Sequence, residues 1–187
     1  MGAYQLEREA ELKQRILASA IEDAEILNAK YVDNELHLSN DPENYFRIFA
    51  EIHSNSLVQK IGNDYLISIG KVIGRQNEMY DEKERQNDIH NISTKQYQHT
   101  LTLNIPEGYE CKGLESIKID NKLEDQGKTL AIFKSDYTYE NNQLIITIDE
   151  IYYELHIPKE LYQGYRKVIN SAADFNKVTL VLQKRSL

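Results

Sequence analysis

The stretch that decides the fold is the last ninety residues, which open HTLTLNIPEGYECKGL (99–114) and close IPKELYQGYRKVINSAADFNKVTLVLQKR (157–185). Between these ends the chain alternates apolar and polar residues. Tyr97, His99, Leu101, Leu103 and Ile105 share one parity, and Pro106-Glu107-Gly108 ends that run, as half-buried strands demand. SIKID (116–120) and TLAIFKSDYTY (129–139) are further strands, and Asn141-Asn142 turns the chain into QLIITI as a hairpin. Leu144, Ile146 and Ile148 lie on one parity and Ile151, Tyr153 and Leu155 on the other, which predicts a bulge or tight turn near Asp149-Glu150. Pro158 opens a helix whose buried stripe is Leu161, Tyr165, Val168, Ile169 and Ala172, and VTLVLQK (178–184) is a closing strand.

Working back from there, the period is still two over much of residues 31–74. ELHL (35–38) and YFRIFAEIH (45–53) read as strands, and LVQKIGNDYLISIG (57–70) as two short runs around a Gly62-Asn63-Asp64 turn. RQNEMYDEKERQND (75–88) has no clear period and reads as a long surface connection. Residues 4–30 carry Leu6, Ala10, Leu17, Ala20, Ile21, Ala24 and Leu27 at helical spacing without Pro or Gly, which predicts one long helix. The expected fold class is therefore α+β and β-rich: an antiparallel sheet or β-sandwich with a long N-terminal helix and a short C-terminal helix. The expected division is a helix over 1–30 and a β-rich domain over 31–187, with room for two sub-layers and a boundary near 75–92.

Composition narrows the partners. A chain of 187 residues with 41% hydrophobic and 28% charged residues can fold around a core. Its net charge of −8 leaves no basic surface to neutralise a run of phosphates, so no nucleic-acid partner is expected, nor attraction to an anionic bilayer. No apolar run reaches the ~20 residues of a membrane-spanning helix. MGAYQLEREAELKQR (1–15) alternates charges where a signal peptide needs an apolar centre, so the chain is expected to be soluble with no address of its own.

No chemistry stands out. His37 and His156 sit between apolar residues of alternating runs, His53 and His90 in polar surroundings, and His99 on an apolar parity at a strand end. None has metal-ligand spacing, so no metal, no cofactor and no catalytic residue is expected. Cys111 is the lone cysteine and reads as buried and structural, lacking the helix N-terminus or histidine that activates a thiol. Asp149-Glu150 and Asp81–Glu84 read as solvated turn carboxylates. Gly70 and Gly74 lack phosphate-loop spacing and are expected to serve close backbone approach or positive φ. With 13 Tyr against 4 Phe and no Trp, Tyr137, Tyr139, Tyr152 and Tyr153 are the candidates for a glycan- or peptide-binding face. The competing and preferred explanation is that a half-wet sheet favours Tyr.

DYLISIGKVIGRQNEMYDEKER (64–85), YQHTLTLNIPEGYE (97–110) and PKELYQGYRKVINSAADFNKVTLVLQK (158–184) together resemble the C-terminal region of bacterial, Bacteroidetes-type transglutaminase-like proteins. Those proteins place one uncharacterised β domain before a transglutaminase-like core and another after it. The resemblance spans roughly residues 30–187. It implies a non-catalytic accessory or binding domain, with the core as intramolecular partner and a glycan or peptide as ligand. It also implies a periplasmic or cell-surface setting and a helix over 1–30 leading out of a missing core. Nothing here corresponds to the family's Cys-His-Asp arrangement, and Cys111 lies beyond that core. The alternative is a free-standing hydrolase using carboxylates and a histidine from distant loops.

Overall fold

The computed structural model describes residues 21, 23–32, 47–81 and 83–185, and the chain separates into two compact units, Met1–Ser56 and Leu57–Leu187. In the first unit, strand β1 (Glu25–Val32) pairs antiparallel with β2 (Arg47–His53), with a register shift between Ile26 and Asn28. The helix expected over 4–30 is thus corrected at its end, where residues 25–30 are strand. Its first part lies outside the described residues, as does ELHL (35–38). The correction has a physical cause: pairing with a partner strand overrides the local helical propensity of EILNAK, as tertiary context commonly does. Asp23 closes the unit's described turn. Its carboxylate accepts the hydroxyls of Ser54 and Ser56, each at 2.6 Å, and the backbone N–H groups of Asn55 and Ser56, each at 2.8 Å. Those donors hold Asp23 far below the usual carboxylate range.

The second unit holds two four-stranded antiparallel sheets. Strands β3 (Val58–Ile61), β4 (Asp64–Ile67), β7 (Tyr109–Lys112) and β12 (Leu180–Lys184) form one, in the order β3-β4-β12-β7. Strands β6 (Lys95–Asn104), β8 (Ile119–Asp125), β9 (Lys128–Glu140) and β10 (Gln143–Tyr152) form the other, ordered β6-β10-β9-β8. A pair of two-residue strands, β5 (Ile89–His90) and β11 (His156–Ile157), lies between them in sequence but joins neither sheet. The Asn141-Asn142 turn between β9 and β10 has positive φ at both residues (50° and 58°), the two-residue geometry that matches strand twist.

Helix α1 (Tyr162–Asn176) packs on β8 and β9, and Pro158 leads into it through a single 3-10 turn over Lys159–Leu161. Tyr165, Val168, Ile169 and Ala172, the stripe expected from the sequence, are buried, with Leu161 half-buried. Phe175 is fully buried against Phe133 of β9, with ring centroids 6.0 Å apart. One core joins helix and both sheets, reaching Ile67, Cys111, Leu180 and Leu182 as well as Leu144, Ile146 and Ile148.

Strand β10 runs unbroken. Its register against β6 and β9 is continuous from Gln143 to Tyr152, so the bulge expected near Asp149-Glu150 is absent. The apolar pattern breaks there because a carboxylate occupies a core-face position, not because the strand slips. Leu144, Ile146, Ile148, Glu150 and Tyr152 all point inward and are all buried.

The stretch 69–80 is tied to the helix rather than running free. Ile69–Ile73 form a 3-10 turn, and Gly70 N–H donates to Val178 O at 3.1 Å. The Asn176 amide donates to Gly70 O (3.0 Å) and Gly74 O (2.7 Å), and Gly74 has φ of 79°. Asn170 exchanges two bonds with the Met79 backbone, at 2.7 and 3.0 Å, and Tyr80 O–H donates to Asp174 at 2.6 Å. A Cβ on Gly70 would stand 2.0 Å from Phe175 O. Neither backbone can yield without opening the core. Gly70→Ala should therefore cost about 2–3 kcal/mol, the upper range for forced overpacking. Urea unfolding measures it, and a loss within ~0.5 kcal/mol would mean that the helix end is not held by this contact.

Candidate functional site

Two polar clusters stand out among the described residues, and both gather around the end of β10. The first is buried. Glu150 lies on the core face of β10, directly opposite Tyr97 of β6 and Phe133 of β9, and only 5% of it is exposed. Tyr152, two residues on and so on the same face, donates its O–H to Glu150 Oε1 at 2.8 Å. Burial pushes the Glu150 carboxyl above its ordinary range, and the Tyr152 hydrogen bond and the charge of Lys95 offset only part of that rise. Burial and the neighbouring Glu150 push the Tyr152 hydroxyl upward too. The Tyr152 ring meets Tyr165 of α1 edge-on at 6.0 Å, and Tyr165 O–H donates to Asn91 Oδ1 at 3.1 Å. Asn91 in turn donates through its amide to Glu154 O (2.8 Å) and through its backbone N–H to Leu155 O (2.7 Å). The seam locks β10, the helix and the segment entering β6 together, and it holds one carboxyl able to keep a proton at higher pH than a solvated one.

The second cluster is open to solvent. His90 and His156 face each other across the β5–β11 pair, with rings stacked at 4.9 Å and 25°. Asp88 Oδ2 lies 2.8 Å from His156 Nε2, while its Oδ1 accepts the Lys159 backbone N–H at 3.0 Å. These bonds, the imidazole first, hold Asp88 below its ordinary range. The alternate residues Ile89 and Ile157 are buried, so the strand pair is anchored on its inner side. Among the described residues, no three His, Cys, Asp or Glu side chains converge as a metal cluster.

The tyrosine candidates are dispersed. Tyr137 and Tyr139 are half-buried against the core, with the Lys118 ammonium 5.0 Å above the Tyr137 ring. Tyr152 is buried in the seam, and Tyr153 is exposed beyond the strand end. They do not form one exposed strip, because strand alternation sends the first three inward and Tyr153 outward. His99 is half-buried and burial lowers its pKa. His53 is exposed on β2, and His37 lies outside the described residues. Cys111 is buried on β7, and burial pushes its thiol up to about 11, which leaves it inert.

Sequence reasoning missed Glu150 by reading it as a turn carboxylate. The available signal was its parity, since it continues the row Leu144, Ile146, Ile148. It also missed the Asp88–His156 pair, whose members stand 68 residues apart with no local pattern between them.

Residues 66–182, more than half of the chain, match the model of a family described as a domain of unknown function with solved-structure structure, DUF3858. The chain belongs to that family. The matched span runs from β4 to β12 and so contains the helix, its clasp and both polar clusters. No curated protein and no solved structure is detectably similar to the chain.

Glu150 gives the DUF3858 domain a specific pH response. Its folded-state pKa lies above the unfolded one, so folding takes up a proton in the interval between them. The burial penalty is absent below about pH 4.3 and grows as pH rises through the folded value. Glu150→Gln keeps an oxygen to accept from Tyr152 but carries no charge. Its stability relative to the parent chain should rise with pH above about 4.3 and level off once pH passes the folded value, measured by urea unfolding at a series of pH values. Parallel curves would mean that Glu150 ionises as freely in the folded state as in the unfolded one.

Proposed function

We propose that this DUF3858 domain is a non-catalytic accessory module of a transglutaminase-like protein, packing on the core or presenting a glycan or peptide to it. The observation that supports this is where the family-like segments spend their side chains. The stretches 64–85 and 158–184 resemble the region that follows such a core, and they interlock with each other. Asn176 binds Gly70 and Gly74, Asn170 binds Met79, and Asp174 accepts from Tyr80. Side chains committed to seating a loop on a helix build a rigid platform; they are not left free to act on a substrate. The parent protein's setting, periplasmic or cell-surface, belongs to the same proposal and rests on the resemblance alone.

A hydrolase using a carboxylate and a histidine from distant loops is the second reading, and the Asp88–His156 pair favours it. An ionised Asp88 can orient the imidazole as a base, as carboxylates do in nucleophile–His–Asp sites. The exposed setting weighs against it, because acid–base work gains from a desolvated site.

Calorimetric titration of this chain against a separately produced transglutaminase-like core of the parent protein tests the proposal. Saturable one-to-one association is expected. A folded chain that ignores the core, yet turns over a peptide or glycan and loses that turnover as Asp88→Asn, would replace the accessory module with the hydrolase.

A further inference from the structure

We propose that His90 and His156 form a two-imidazole binding site for a divalent first-row transition cation, with Asp88 as its supporting carboxylate. The argument begins with the backbone. β5 and β11 pair with His90 directly opposite His156 and Ile89 opposite Ile157. Since Ile89 and Ile157 are buried, alternation turns both imidazoles outward, where a cation can reach them. The pair is also held in place. Asn91 N–H donates to Leu155 O at 2.7 Å beside it, and the Asn91 amide bonds Glu154 O at 2.8 Å.

Protonation state follows from Asp88. A carboxylate can only accept, so the proton of the shared bond sits on His156 Nε2. In the neutral imidazole Nδ1 of His156 then carries the lone pair. A carboxylate on the far nitrogen of an imidazole is the arrangement that fixes tautomer and raises basicity in metal-ligating histidines. Asp88 is itself fixed, because its other oxygen accepts the Lys159 N–H at 3.0 Å.

Geometry allows the chelate. Two nitrogens each about 2.0–2.1 Å from one ion stand at most ~4 Å apart. The ring centroids stand 4.9 Å apart, which puts both imidazoles within reach of one ion. Two protein ligands leave the remaining positions to water, so no third side chain is needed. Imidazole nitrogen selects zinc, copper or nickel over magnesium or calcium.

The test uses zinc chloride as the probe and the whole chain, followed by calorimetry and by the histidine side-chain NMR resonances. One zinc per chain is expected, with the ring signals of His90 and His156 shifting together while those of His53 and His99 stay put. His90→Ala and His156→Ala should each abolish saturable binding, and Asp88→Asn should weaken it by about 10–100-fold. His53→Ala should leave it unchanged. Zinc binding that persists in His90→Ala, or ring shifts confined to other histidines, would overturn the proposal. The resonances of the parent chain decide the matter even if a variant fails to fold.

Discussion

Everything in the second unit depends on one backbone-on-backbone contact, Gly70 against the end of helix α1. A side chain there would meet Phe175 O at 2.0 Å, so the loop can approach only because it has none. The approach lets Gly70 N–H reach Val178 O and brings Gly70 O and Gly74 O under the Asn176 amide. Those bonds satisfy polar groups that the close approach would otherwise strand without water. Because β4 ends just before the loop and β12 begins just after Val178, the same contact sets the pairing of Leu180 with Ile67. A helix seated on β8 and β9 is thereby joined to the two central strands of the other sheet, and one core serves both.

The polar seam follows from that seating. Tyr165 is aimed by the helix, and its hydroxyl must find a partner because the ring is buried. Asn91 supplies it and passes the constraint to the backbone at Glu154 and Leu155. Asp88 and His90 precede Asn91 and meet His156 on the outside of the β5–β11 pair. The buried and exposed clusters are thus linked through Asn91 and its bonds to Glu154 and Leu155. The buried face costs stability through a desolvated carboxyl, while the exposed face carries the side chains able to meet a ligand.

Much of this was legible in the residues. The stripe of α1, the Asn141-Asn142 hairpin, the Gly62-Asn63 turn and the service of Gly70 and Gly74 all follow from local periodicity and backbone chemistry, which a sequence displays directly. Three things were not. EILNAK became strand because β2 offered hydrogen-bond partners, and pairing with a separate segment is invisible to helical periodicity. Glu150 was hidden by its type, since an acid in an apolar row looks like the row's end. Met79 and Tyr80 looked like solvated connection, although they bind Asn170 and Asp174 about ninety residues away. For the strand and for the connection, a long-range partner decided what the local pattern left open.

Native-state hydrogen exchange at the Gly70 and Met79 amides tests the central claim most directly. These groups bond Val178 O and the Asn170 side chain, and they sit in the loop that joins helix and sheet. If the loop and helix form one cooperative unit with β9 and β10, both amides will exchange only through the same global opening as the core strands. Exchange of Gly70 and Met79 at a much lower opening free energy, with β9 and β10 still protected, would contradict the account.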